Sequence, residues 1–231
     1  MSAQYPWWGK TLRIVGIVLM SLTAAFTLMG GAGTTCVALD PTGFGGRFAG
    51  IAPFQWLYIL FVLVTLAIGV WGVRAVVKLS RGEKNSYLRV LIVLLAGVAV
   101  GTVHMAASRT LRGGSMPVDM VVYTTELTLA VFLLFRLPGI WQKLGLERPT
   151  SDDRKDRMAA AAALGATGVL TLTVQFLMAP THTIGSVNYA DVWHVTLTAL
   201  GLVQLVTAAL RLWRLPSGSP RLITRRADQP A

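Results

Sequence analysis

The sequence has few charged residues. Asp, Glu, Lys and Arg together make up 13% of its 231 positions, while 54% of the positions are hydrophobic. Soluble domains carry about 25% charged residues, roughly twice this share. Such a deficit, combined with several apolar runs near 20 residues, excludes an ordinary soluble domain and indicates a membrane protein. The lipid bilayer is therefore the first expected partner.

Cysteine is also scarce, because Cys36 is the only one. A single cysteine excludes an internal disulfide and any Cys-x-x-Cys redox or haem-attachment motif. The glycine patterns of nucleotide-binding loops and the His-Glu-x-x-His pattern of zinc proteases are missing as well. Since no motif specifies a reaction, the sequence favours a protein that is not an enzyme.

Six apolar segments each approach the ~20 residues that a helix needs to cross a bilayer. Lipid offers no hydrogen-bond partners, so a segment inside it must satisfy its own backbone groups, as an α-helix does. The sequence therefore predicts an all-α polytopic membrane protein, a bundle of six transmembrane helices. The predicted spans are Leu12–Met29, Trp56–Val77, Tyr87–Ala107, Pro117–Phe135, Met158–Met178 and Ala190–Leu212.

The net charge of +11 does not indicate a nucleic-acid partner, because the basic residues flank the apolar segments. Of the 21 Lys and Arg residues, 18 lie on one predicted side, in its terminal segments and connections or at the span ends that border them, and only Arg47, Arg109 and Arg112 lie on the other. Basic loops usually lie on the cytoplasmic side. Both termini are therefore predicted to be cytoplasmic, and the protein to be a multi-pass protein of a cell membrane, such as an inner membrane.

Residues 1–215 are predicted to form the six-helix transmembrane domain, and residues 216–231 a flexible basic cytoplasmic tail. Two connections are long. The glycine-rich stretch Gly30–Gln55 is expected to form an external loop or lid, and Pro138–Arg157 is expected to hold a short surface helix.

Glu126 lies near the centre of the fourth predicted span. An ionisable side chain at that depth costs at least ~2.5–3.5 kcal/mol and usually faces the bundle interior or a water-filled cavity. Asp119, Tyr123 and Glu126 follow helical spacing and so share one face. This face, together with Gln204 of the sixth span, would form a proton or cation path. The alternative is a Glu126 side chain that only bonds to a neighbouring helix, for instance through Gln204.

His104, His182 and His194 all fall on the predicted outer side, and Asp191 precedes His194 by three residues. Together they offer nitrogen and oxygen ligands that suit zinc, iron or copper. His104 and His194, on different helices, could also ligate one haem. The alternative is that they are ordinary hydrogen-bonded histidines.

Arg109 and Arg112 lie in the predicted outer turn between the third and fourth spans. They would form structural ion pairs with Asp119 or Asp191. A second use is to hold an anion or a lipid phosphate, which guanidinium groups bind in a bidentate manner.

Three functions remain open. The first is a small transporter or channel-like protein with a polar path through the fourth helix. The second is a non-catalytic accessory subunit of a larger membrane complex, whose partners would be other membrane protein subunits. The third is a metal- or haem-binding redox subunit that uses the outer histidines.

Overall fold

The computed structural model describes residues 6–44, 46–148, 153–184, 186–188, 191 and 193–213. Apart from one two-stranded hairpin, the regular structure in these ranges is helical. The predicted tail, residues 216–231, lies outside them. The described helices are α1 (Trp7–Leu39), α2 (Gln55–Ser80), α3 (Ser86–Arg112), α4 (Val118–Phe135), α5 (Pro138–Leu144), α6 (Asp153–His182) and α7 (His194–Trp213).

Each predicted span corresponds to one of these helices, which confirms the all-helical prediction for the described residues. Five helices, α1, α2, α3, α4 and α7, are long and apolar enough to cross a membrane. The apolar part of α6 is shorter and covers Ala160–Phe176. These lengths and compositions are consistent with a helical membrane protein.

The predicted loop Gly30–Gln55 is wrong in its first part, because α1 continues to Leu39. In this extension the Thr34 and Thr35 hydroxyl groups donate to carbonyl oxygens one turn earlier, at 2.7 and 3.1 Å, so both are satisfied within the helix. The actual connection is shorter, and its last part is a 3-10 helix, Ala49–Phe54. The surface helix expected in the later connection is present as α5.

Helix α1 occupies the centre of the bundle and contacts α2, α4, α5 and α6. Helix α3 packs between α2 and α4, while α7 packs mainly on α6. A short antiparallel hairpin, β1 (Thr183–Ile184) and β2 (Val187–Asn188), joins α6 to α7. The core lies among the first four helices and α5, where the fully buried side chains include Ile17, Met20, Leu79, Val90, Leu94 and Phe132.

Glycines set the distance between neighbouring helices. A Cβ on Gly69 of α2 would lie 2.6 Å from Cδ2 of Leu28 and 3.2 Å from its backbone nitrogen on α1. A Cβ on Gly101 of α3 would lie 2.8 Å from Cγ2 of Val122 on α4. Small residues allow the two backbones to approach closely. Membrane helices depend on such close packing, because the hydrophobic effect does not drive helices together within lipid.

We expect Gly69→Ala to destabilise the protein, because the new methyl group overlaps α1. Overpacking of this kind typically lowers the free energy of unfolding by about 1–3 kcal/mol. Gly33→Ala is the matched control, since nothing lies within 4 Å of its Cβ position. It should be neutral or stabilising by up to ~1 kcal/mol through helix propensity. Thermal unfolding in detergent, followed by tryptophan fluorescence, measures both variants, and equal melting temperatures would contradict the expected overlap.

Candidate functional site

A pocket opens where the turn from α3 to α4 meets the loop after α1. Its volume of about 450 Å³ lies within the range of small-molecule sites. Three guanidinium groups and one carboxylate line it, so the pocket is electropositive. We call it the arginine pocket, and it is lined by Arg47, Phe48, Arg109, Arg112, Gly113, Gly114, Ser115, Met116 and Asp119.

The Arg109 guanidinium group already has hydrogen-bond and ion-pair partners within the protein. Its Nε donates to the Ser115 hydroxyl at 2.9 Å, and its Nη2 lies 3.4 Å from Oδ1 of Asp119 and 3.2 Å from the Tyr123 hydroxyl. The Ser115 hydroxyl also donates to Asp119. The only carboxylate lining the pocket is therefore already occupied by Arg109 and Ser115.

Arg47 and Arg112 differ from Arg109, since no carboxylate of the described residues forms an ion pair with either. The Arg112 guanidinium lies over the Phe48 ring, 5.2 Å from its centroid, and donates to the Met116 carbonyl at 2.7 Å. Both partners hold the group in place without neutralising it. With three guanidinium groups and one carboxylate in its lining, the pocket carries an excess of two positive charges.

A column of polar side chains leads from the arginine pocket into the bundle. Arg112, Ser108 and His104 are spaced four residues apart and so lie on one face of α3. The buried Ser108 hydroxyl lies 2.9 Å from the Tyr58 hydroxyl of α2. The ring of Tyr58 in turn contacts the His104 ring edge-on, with 5.4 Å between centroids.

His104 closes this column and faces a small cavity among α1, α2, α3 and α4. Its ring stacks on Phe61 with centroids 4.4 Å apart, and its Nε2 is buried without a hydrogen-bond partner among the described residues. The cavity has a volume of about 30 Å³. We call it the threonine cavity, because its walls include Thr27, Thr34, Thr65 and Thr125.

The predicted path along α4 divides in the structure. Asp119 and Tyr123 meet at Arg109, but Glu126 is exposed, so the expectation that it faces the interior is wrong for the described chain. The buried face of α4 runs through Thr125 instead, and consecutive helical residues differ by about 100° in direction.

Gln204 does not bond to Glu126. It accepts a hydrogen bond from the Thr171 hydroxyl at 3.1 Å, which links α7 to α6. Gln204 therefore takes part in the contact between α6 and α7.

The outer histidines do not form a metal site within the described residues, where no three His, Cys, Asp or Glu side chains cluster. His194 is exposed, with Nδ1 2.6 Å from Oε1 of Gln175. Asp191 accepts from Asn188 at 2.9 Å, while the His182 side chain lies outside the described part. The cavity beside His104 is too small for haem, because cofactor sites typically exceed ~300 Å³.

Two parts of this site were not predicted from the sequence. The helical spacing of His104, Ser108 and Arg112 was a detectable signal, because residues four apart share one face of a helix. The contribution of Tyr58 and Arg47 had no signal, because contacts between separate elements depend on packing.

Comparison of the chain with protein-family models, curated proteins and solved structures gives no match. The function is therefore inferred from the residues that the fold brings together.

Proposed function

We propose that the chain crosses a cell membrane six times, with both termini in the cytoplasm. The alternation of basic and nearly neutral connections supports this topology. Helix α6 supports it as the remaining span, because its 30 residues give a length of about 45 Å at 1.5 Å per residue. The arginine pocket then opens on the external side.

Cysteine labelling tests this topology. Cys36 is exposed near the end of α1 that meets the arginine pocket, so a membrane-impermeant maleimide should label it in intact cells. In the double variant Cys36→Ser/Lys84→Cys, the cysteine lies in the turn between α2 and α3 and should react only after permeabilisation. Labelling of both positions from the same side would contradict the proposed orientation.

We infer that the protein binds a small anion in the arginine pocket and carries it into the bundle, as a small transporter. The observation that supports this most is the pair Arg47 and Arg112, whose charges have no carboxylate partner among the described residues. A phosphate or carboxylate group would supply one, through charge-assisted hydrogen bonds from the guanidinium groups. The same chemistry fits a free anion or a lipid headgroup.

The buried polar column favours transport over surface binding alone. A site that only held an anion would need nothing beneath it, whereas Ser108, Tyr58 and His104 continue inward from Arg112. Buried polar side chains within membrane spans usually mark a substrate or ion pathway.

Anion binding gives the direct test. We expect inorganic phosphate to bind the purified protein in detergent, and Arg112→Gln or Arg47→Gln to weaken binding roughly ten- to a hundredfold, the loss of one charged hydrogen bond. Arg89→Gln is the matched control, since Arg89 is an exposed arginine at the other end of α3. Isothermal titration measures the affinity, and uptake of radiolabelled phosphate by proteoliposomes measures transport.

The ligand source is resolved by parallel titrations with phosphate, acetate and a short-chain phosphatidylglycerol. Preference for the lipid with no uptake of phosphate would indicate a headgroup site. If none of the three binds the wild-type protein, the proposal is wrong.

Exposed Glu126 favours a second function, that of a subunit in a membrane complex. Its neighbours on the exposed surface of α4 are apolar, including Met120 at 47% and Leu127 at 59% exposure. A carboxyl group facing lipid at this depth is costly, so a protein surface that offers it a hydrogen bond would stabilise it.

We expect the tagged chain, extracted from its own membrane in mild detergent, to migrate on native gels as an assembly larger than the monomer. Glu126→Leu should dissociate the assembly, while Glu126→Gln should retain it because the amide still donates and accepts hydrogen bonds. Leu63→Ala on the exposed face of α2 is the control for general effects of surface change. A wild-type chain that migrates as a monomer would exclude this function.

A further inference from the structure

His104 is the least satisfied polar side chain in the described bundle. It is 5% exposed, and its Nε2 has no hydrogen-bond partner among the described residues. Buried polar atoms are rarely left unpaired, so each exception calls for a ligand, a water or a functional reason. His104 also lines a cavity, which leaves room for a partner.

The walls of the threonine cavity offer hydrogen-bond acceptors. Thr27, Thr34 and Thr125 each donate their hydroxyl proton to the carbonyl oxygen four residues earlier, at 2.8, 2.7 and 2.6 Å. Their oxygen atoms therefore present lone pairs, as does an imidazole nitrogen without a proton. A molecule bound here can donate hydrogen bonds to these atoms.

The size of the cavity limits that donor to water. About 30 Å³ holds one or two water molecules, at ~10–15 Å³ each. His104 is the only titratable side chain among the described residues that line the cavity from α1, α2, α3 and α4. Tyr58 faces the ring from α2, and Arg112 lies two turns along α3.

We propose that His104 and the threonine cavity form a proton-binding site, with one or two waters, that couples proton movement to the anion. In the uptake step the Nε2 lone pair forms an N–H bond while a protonated water loses one O–H bond. The reverse step returns the proton to a water of the cavity, and no oxidant or reductant takes part. The threonine oxygens accept hydrogen bonds from the water and orient it.

Electrostatic interaction between His104 and Arg112 couples the proton site to the arginine pocket. The proton site therefore rests on the proposed anion-binding function. Eight residues along α3 separate His104 from Arg112 by about 12 Å. Their positive charges repel across this distance, and an anion bound at Arg112 removes the repulsion. The anion and the proton therefore favour each other's binding, and this coupling is reciprocal.

Proteoliposomes containing the full chain test the coupling. With an inward phosphate gradient, lumenal pyranine should report acidification for wild type and at least a tenfold slower rate for His104→Gln. Phosphate affinity, titrated separately at an alkaline pH at which His104 carries no proton, should stay within about twofold of the wild-type value. His194→Gln is the matched control, because this exposed histidine should change neither reading. Acidification by His104→Gln at the wild-type rate would overturn the proposal.

A proton flux driven by a potassium diffusion potential, with no phosphate present, separates the two proposals. If phosphate does not bind, the anion function fails, yet a potential-driven flux that depends on His104 still supports the proton site. A wild-type protein without proton flux in either assay overturns it.

A spectroscopic measurement covers the case in which His104→Gln does not fold. In the double variant His182→Gln/His194→Gln, His104 is the only histidine, and its ¹⁵N shifts report protonation directly. We expect phosphate to increase the protonated fraction at a given pH. An imidazole that stays neutral with phosphate at every pH at which the protein is folded overturns the proposal.

Discussion

Helix α1 contacts four of the described helices, and each contact depends on how closely two backbones approach. Lipid tails are as apolar as the side chains, so moving a side chain from lipid into the bundle gives little hydrophobic stabilisation. Close packing and hydrogen bonds between helices therefore stabilise the bundle. Gly69 brings α2 against α1, and Gly16 of α1 accommodates the Phe135 ring of α4. Once α2 and α4 are held in this way, α3 fills the space between them. The position of His104 follows from this arrangement.

The same close packing explains why polar side chains are found inside an apolar bundle. Thr23 of α1 and Thr128 of α4 are buried and lie 2.7 Å apart, so their hydroxyl groups join the two helices. Threonine suits such positions because it is small and can bond to its own helix as well as to a neighbour. Around His104 the threonines have no side-chain partner opposite them, and a cavity results. Threonine therefore joins α1 to α4 at Thr23 and Thr128, and it lines the cavity beside His104.

The helices could be predicted because length and hydropathy determine a span, although α1 continues well past Met29 to Leu39 and α7 begins only at His194. The orientation of α4 could not, since polar residues lie on both faces of this helix: Thr125 and Thr128 are buried, whereas Glu126 is exposed. Glu126 is expected in the interior only because a carboxyl group in lipid is energetically costly. In the structure, Thr125 lies on the buried face of α4 instead. Likewise, the sequence predicts only that His104 lies on the outer side, since its neighbours Tyr58 and Phe61 come from another helix, whose rotation is set by packing at glycines.

Arg109 connects the two polar regions of the molecule. Its guanidinium lines the arginine pocket, yet it also bonds to Tyr123, which is 51% exposed one turn before Glu126 on α4. Asp119 holds the same guanidinium from the first turn of α4. A partner packed on the exposed face of α4 would touch Tyr123 and so constrain Arg109. Arg112 bonds to the Met116 carbonyl before α4 begins, and neither Arg47 nor Arg112 bonds to α4 among the described residues. Assembly and anion binding would therefore meet at one side chain, while the charges that attract the anion stay independent of the partner.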